Sequence, residues 1–170
     1  DALTGLPNRR LFHKILSRLL LEAENSGQLL AVLYMDLDSF KEVNDTYGHE
    51  KGDMVLEETA KRLIRAVRGS DIVSRMGGDE FVLLLSRIIA DEEIRHVCER
   101  ILSEIRQPFQ LSEDLFIEMT ASIGISIYPR DGQDGKELLS RADQAMYRIK
   151  KSEKNFYMFT ESLSEAEKKP

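Results

Sequence analysis

The chain has 170 residues, 42% hydrophobic and 32% charged, a balance that suits one soluble domain with a single core. Its formal net charge of −6 excludes non-specific binding to a nucleic-acid backbone, which rests on many Lys and Arg contacts. A nucleotide substrate stays open, because it needs only local positive charge or a metal ion.

Residues 9–24 place Leu11, Phe12, Ile15, Leu19 and Leu20 on one face, which predicts a helix ended by Gly27. The apolar run 29–35 predicts a central buried strand. A second helix is expected over about 50–67, with Leu56, Ala60, Leu63, Ile64 and Val67 facing inward. Residues 72–76 and 80–85 read as strands joined by a hairpin turn at Gly77-Gly78-Asp79. Residues 91–107 form an amphipathic helix, with Cys98 among Ile94, Val97, Ile101, Leu102 and Ile105 as a small buried apolar residue. A small hairpin over 109–111 and 115–118, a core strand over 120–128, a helix over 135–151 and a last strand over 155–159 complete the pattern. The fold class is therefore mixed α/β (α+β), a central, largely antiparallel sheet with helices packed on it. Residues 1–160 are expected to form the domain, and 161–170 a charged tail or linker.

The lone cysteine forbids an internal disulfide and fits a reducing compartment. The apolar runs are too short to span a bilayer. Asp1-Ala2-Leu3-Thr4 lacks the basic and apolar stretches of a signal peptide. A cytoplasmic domain is expected, within a protein that can extend beyond it.

Two acidic clusters stand out. In Tyr34-Met35-Asp36-Leu37-Asp38-Ser39-Phe40-Lys41 an apolar strand ends at carboxylates on alternate positions, which an ideal strand puts on one side. Such acids hold a cation, cap the next turn or pair with a lysine. In Arg75-Met76-Gly77-Gly78-Asp79-Glu80-Phe81 two glycines allow a tight turn or a close ligand approach, and two acids follow. Adjacent core strands can bring the two clusters together around one or two metal ions.

Gly77-Gly78-Asp79-Glu80-Phe81 is the signature of the GGDEF family, and four further motifs resemble that family in the same order. They are residues 1–9 (Asp-Ala-Leu-Thr-Gly-Leu-Pro-Asn-Arg), the segment 36–53, Ala121-Ser122-Ile123-Gly124-Ile125-Ser126, and Ala142-Asp143-Gln144-Ala145-Met146-Tyr147. The resemblance implies a fold like the palm of nucleotidyl cyclases and polymerases. It also implies a diguanylate cyclase that joins two GTP into cyclic di-GMP, releasing two pyrophosphates, in a homodimer. It implies Mg²⁺ as cofactor, with Mn²⁺ possible in its place, held by Asp36, Asp79, the Leu37 carbonyl and Glu80. Asp79 matches the general base, with Glu80 as the neighbouring acid. Asn44 and Asp53 match the guanine-reading pair, and His49 lies beside the substrate position. Phe40 and Lys41 match the loop whose amides face the phosphates. Lys150 matches a phosphate-binding lysine, and Lys154 stands where the family usually has Arg, with Glu153 in place of Gly.

Arg68-Gly69-Ser70-Asp71, separated from Gly77 by five residues, resembles the family's inhibitory product site, and Arg100 matches a second product-binding arginine. Arg68 would read guanine bidentately. The Gln107-Pro108-Phe109 and 126–132 segments look like GGDEF domains beside an EAL phosphodiesterase domain. The competing expectation from another class is a non-catalytic domain that senses GTP or cyclic di-GMP and regulates an attached EAL domain.

Overall fold

The residues of the apolar run 29–35, expected as the central strand, are buried except at Leu29 and Tyr34, which are half-buried. They belong to β1 (Leu29–Asp38), which pairs antiparallel with β3 (Glu80–Ile88) on one side and with β6 (Thr120–Tyr128) on the other. β2 (Ile72–Gly77) adds antiparallel to β3, and β7 (Tyr157–Phe159) adds parallel to β6, giving the order β2-β3-β1-β6-β7. β4 (Phe109–Gln110) and β5 (Phe116–Ile117) form a separate two-stranded sheet. The computed structural model describes residues 1–152 and 154–160; Glu153 and the tail expected at 161–170 lie outside the described residues.

Alternation along β1 builds two cores. Ala31, Leu33, Met35 and Leu37 face one side, packed with α3 (His49–Ala66) and α4 (Asp91–Arg106). Leu30 and Val32 face the other, packed with Phe12, Leu16, Leu19 and Ala23 of α1 (Arg9–Ser26) and with Leu138 and Ala142 of α5 (Gly135–Ser152). Gly124 of β6 lets α5 lie close, since a Cβ there would collide with Ala142 O and Met146 N. The sheet is thus covered on both faces, and the expected mixed α/β class holds.

Several local expectations change. A short helix, α2 (Phe40–Tyr47), occupies the stretch after the first strand where none was expected. The strand itself runs on from Met35 to Asp38 because β6 pairs with it as far as Thr120. Ile64, expected inward, is 55% exposed, and Val67 is the half-buried C-cap of α3. On α1, Leu11 is 47% exposed while Leu16 takes the inward position, because the sheet touches a face turned from the one first read. The last strand begins at Tyr157 rather than at residue 155. Cys98 is fully buried, as its apolar neighbours require.

Arg62 joins the two helices on the first face. Only 6% exposed, it donates from Nη1 to Glu104 O at 2.9 Å and to Gln107 O, and from Nη2 to Pro108 O at 2.8 Å. Its guanidinium lies 3.7 Å from the centroid of the Phe109 ring, and Nε donates to Glu58 Oε1 at 3.2 Å. It therefore satisfies carbonyls that the end of α4 leaves without helical partners. Arg62→Ala is expected to lower unfolding free energy by about 3 kcal/mol, read from urea titrations, because buried acceptors and Glu58 lose their partner.

Candidate functional site

The two acidic clusters meet where β1 passes the β2–β3 hairpin. Gly77 and Gly78 have φ of 144° and 54°, a left-handed backbone that favours glycine. The turn closes with Gly77 opposite Glu80, and Glu80 in turn sits opposite Asp36 in the β1–β3 register. Asp36 is 8% exposed, and the half-buried Asp79 lies close enough for its charge to act on the Asp36 carboxyl. Burial pushes the Asp36 carboxyl up to about 6; the charge of Asp79 adds to this, and the Lys150 ammonium, which donates to Asp36 Oδ1, opposes it. Glu80 stands beside the Tyr34 hydroxyl, whose titration moves far upward, first through burial and then through the Glu80 charge.

Asp38 has a different occupation from Asp36. Its carboxylate accepts from Thr120 Oγ1 at 2.7 Å, Ser122 Oγ at 2.8 Å and the Asn155 amide at 3.0 Å. It is only 3% exposed, and these donors hold β1, β6 and the segment after α5 together. Asn155 takes a positive φ of 64°, and the segment brings Lys154 Nζ to Ser39 Oγ at 2.9 Å. Of the two alternating aspartates, one is therefore consumed by the fold and the other faces its like charge.

The β1–β3 ladder stops at Asp36 and Glu80, while β1 continues to Asp38 against β6 alone. Leu37 thus has a strand neighbour, Ala121, on one side and none on the β3 side. Among the described residues no group of three or more His, Cys, Asp or Glu side chains is placed to hold a metal. Two converging carboxylates fit a hard divalent ion whose other positions go to main-chain and phosphate oxygens. Burial first and the Asp79 charge after it raise the Asp36 carboxyl, and a bound cation would offset both by favouring the ionised form.

α2 begins at Phe40 directly after this edge. Ser39, its N-cap, has φ 59° and ψ 21° and makes no side-chain capping bond, so its hydroxyl does not cover the first amides of the helix. Phe40 is buried at 7% exposure and anchors α2 in the first core, whereas Lys41 is exposed. α2 turns into α3 at Gly48, whose amide donates to Asn44 O at 2.9 Å. This turn lays the Asn44 side chain on Gly52, where an added Cβ would collide with Asn44 Oδ1 and lie 3.3 Å from Phe40 Cζ. Asp53 follows on the exposed side of α3, and His49 is the exposed first residue of that helix.

Arg75 ties these parts together and was not expected as a site residue. Its Nε donates to Gly78 O at 2.9 Å and its Nη1 to Asp1 Oδ1 at 3.0 Å. Asp1 also accepts from the Thr4 amide and hydroxyl, so the opening loop is fastened to the hairpin. The charges of Asp53 and Asp79 also act on the Arg75 guanidinium. The signal was present in the sequence as an arginine two residues before the glycine pair, but its partners come from far along the chain.

Arg68, Asp71 and Arg100 gather on another surface, at the end of α3. The Arg68 amide donates to Asp71 Oδ2 at 3.0 Å, and the Asp71 amide donates back to Arg68 O at 3.0 Å. Arg100 on α4 donates from Nε to Ala66 O at 2.6 Å, and its charge acts on Asp71. A cleft of about 350 Å³ opens beside them, lined by Leu6, Pro7, the outward-facing Ile64 and Val67 among others.

Comparison with known proteins identifies the family. MucR of Pseudomonas aeruginosa, a bifunctional diguanylate cyclase/cyclic di-GMP phosphodiesterase, is 46% identical over 167 residues, 98% of this chain but 24% of MucR. Diguanylate cyclase TpbB of the same species is 40% identical over 151 residues, 89% of this chain and 35% of TpbB. The chain therefore spans about a quarter to a third of these relatives. The crystal structure of the TpbB GGDEF domain matches with a TM-score of 0.90 and 38% identity, over 92% of this chain and 97% of that one. The GGDEF domain of DgcB from Caulobacter crescentus, solved in complex with cyclic di-GMP, matches with a TM-score of 0.84 and 30% identity, over 95% of each chain. The family described as "Diguanylate cyclase, GGDEF domain" matches residues 1–156, and this chain belongs to it.

Proposed function

We propose that this chain is a catalytically competent diguanylate cyclase domain, which condenses two GTP into cyclic di-GMP and releases two pyrophosphates at the interface of a homodimer. The observation that carries this reading is the approach of Asp79, in the β2–β3 turn, to Asp36 on β1, two acids whose like charges oppose each other and which a divalent ion between them would reconcile. Asp36, Asp79, the Leu37 carbonyl and Glu80 would hold Mg²⁺, or Mn²⁺ in its place, and the bound ion supplies polarisation of the α-phosphate and neutralisation of charge on the leaving pyrophosphate.

The chain's own residues do the rest. Asp79, with Glu80 beside it, takes the proton of the attacking 3′-hydroxyl. That oxygen bonds to the α-phosphorus of the other GTP as the bond to pyrophosphate breaks. The uncapped amides of Phe40 and Lys41, at the positive end of the α2 dipole, receive phosphate oxygens. Lys150, which pairs with Asp36, and Lys154, which rests on Ser39, turn their ammonium groups to the phosphates. Asn44 and Asp53 read the base edge of guanine, and His49 borders it. Arg68, Asp71 and Arg100 bind the product and inhibit. Among the described residues no helix is long and apolar enough to cross a membrane. Sensory or EAL domains lie elsewhere in the longer protein that this reading assumes.

Each domain offers one set of these groups, so catalysis requires two domains facing each other. Initial rates per domain at saturating GTP and Mg²⁺ are expected to rise roughly in proportion to domain concentration while monomer dominates, and a fused parallel coiled coil should raise them further. Constant activity per domain where sedimentation shows only monomer would refute the two-domain mechanism. Tight cyclic di-GMP binding without turnover at any concentration would favour the sensing role instead.

A further inference from the structure

We propose that Glu93 is a built-in competitor for Arg68 that sets how tightly the chain holds its product. This rests on the reading of Arg68, Asp71 and Arg100 as the product site. Arg68 is 59% exposed in its side chain, and its Nη1 pairs with Glu93 Oε2 at 3.0 Å. The acid is the better-fixed member, with its side chain 25% exposed and Oε1 accepting from the Ile89 amide at 3.0 Å.

The fixing has a local cause. α4 begins after Ala90, which makes no side-chain capping bond. Glu93, in the first turn, reaches back over that start and accepts from the amide of Ile89, the residue before the N-cap. One carboxylate oxygen thus serves the helix and the other holds the arginine. Glu93 cannot follow Arg68 when the guanidinium turns to a ligand. An anionic dinucleotide that takes Arg68 must break the ion pair and then sit near a carboxylate that stays in place. Asp71 cannot take that part, because its own carboxylate already closes the Arg68–Asp71 turn. The cleft lined by Leu6, Pro7 and Ile64 adjoins the same arginine, so the ligand that displaces Glu93 has an apolar surface for its base.

The test titrates cyclic di-GMP calorimetrically into the 170-residue chain and its Glu93→Gln, Glu93→Ala and Arg68→Ala variants at low ionic strength. Gln keeps an oxygen for the Ile89 amide and puts an amide opposite Arg68, so α4 keeps its start while the guanidinium is released. Glu93→Gln is expected to tighten binding by roughly fivefold, the range of an exposed ion pair, and the gain should shrink as salt is added. Glu93→Ala should also tighten binding, with a lower melting temperature from the lost contact to Ile89. Unchanged affinity in both Glu93 variants, with binding lost in Arg68→Ala, would overturn the competitor role and leave the product site standing. Weaker binding in Glu93→Gln would make Glu93 a ligand for the product and overturn the proposal in the same way. Undiminished binding in Arg68→Ala would instead overturn the site itself.

Discussion

Asp36→Asn and Asp79→Asn are each expected to cut cyclic di-GMP formation by at least about a thousandfold while the protein stays folded. The loss follows from the several kcal/mol that a bound divalent ion contributes to a phosphoryl-transfer transition state, at 1.4 kcal/mol for each factor of about ten. The fold survives for reasons visible at the site. Asn at position 36 still accepts from Lys150, and Asn at position 79 removes a like charge that now helps push the Asp36 carboxyl up to about 6. Asp79→Asn should therefore melt no lower than the parent. Asp38→Asn is the contrasting case. Its three donors come from Thr120, Ser122 and Asn155, so its main expected cost is in melting temperature. Product assays with Mg²⁺ beside thermal melts separate the two outcomes. Near-parental turnover by a folded Asp36 or Asp79 variant would remove the basis of the metal assignment.

Gly52→Ala is expected to erode the preference for GTP as strongly as changing the base-reading residues themselves. A site that hydrogen-bonds guanine can discriminate against adenine by roughly 10⁴, because the wrong base leaves polar groups unpaired. Asn44 reaches its position by lying on Gly52, and an added methyl would fall on its Oδ1 with Phe40 packed at 3.3 Å behind. The side chain must leave, although alanine favours the helix by about 1 kcal/mol in propensity. Asn44→Ala, Asp53→Ala and Gly52→Ala should all raise KM for GTP more than they lower kcat, and bring kcat/KM for GTP and ATP toward each other. Parental selectivity in a folded Gly52→Ala chain would detach Asn44 from base recognition.

The sequence by itself determined the elements whose pattern repeats within one stretch of chain. Periods of two and 3.6 in apolar residues marked the main strands and four long helices, and Gly77-Gly78 marked the hairpin, because local sterics and one-sided burial write these into consecutive residues. It could not mark α2, whose eight residues bury only Phe40 and Val43, less than a periodic face requires. Nor could it choose between Leu11 and Leu16 or turn Ile64 outward, since a helix carries several apolar stripes and only the packed sheet selects one.

The division between Asp36 and Asp38 shows the same limit at the site. The two residues are of one type, two apart and buried in the same strand. Asp38 meets donors 82, 84 and 117 residues away, and Asp36 meets Lys150 at a separation of 114. A carboxylate's role depends on whether its lone pairs are already taken and on the charge facing it. Both conditions arise only when β6, the hairpin and the end of α5 converge on β1, so tertiary structure alone decided which aspartate is bound into the fold and which faces its like charge.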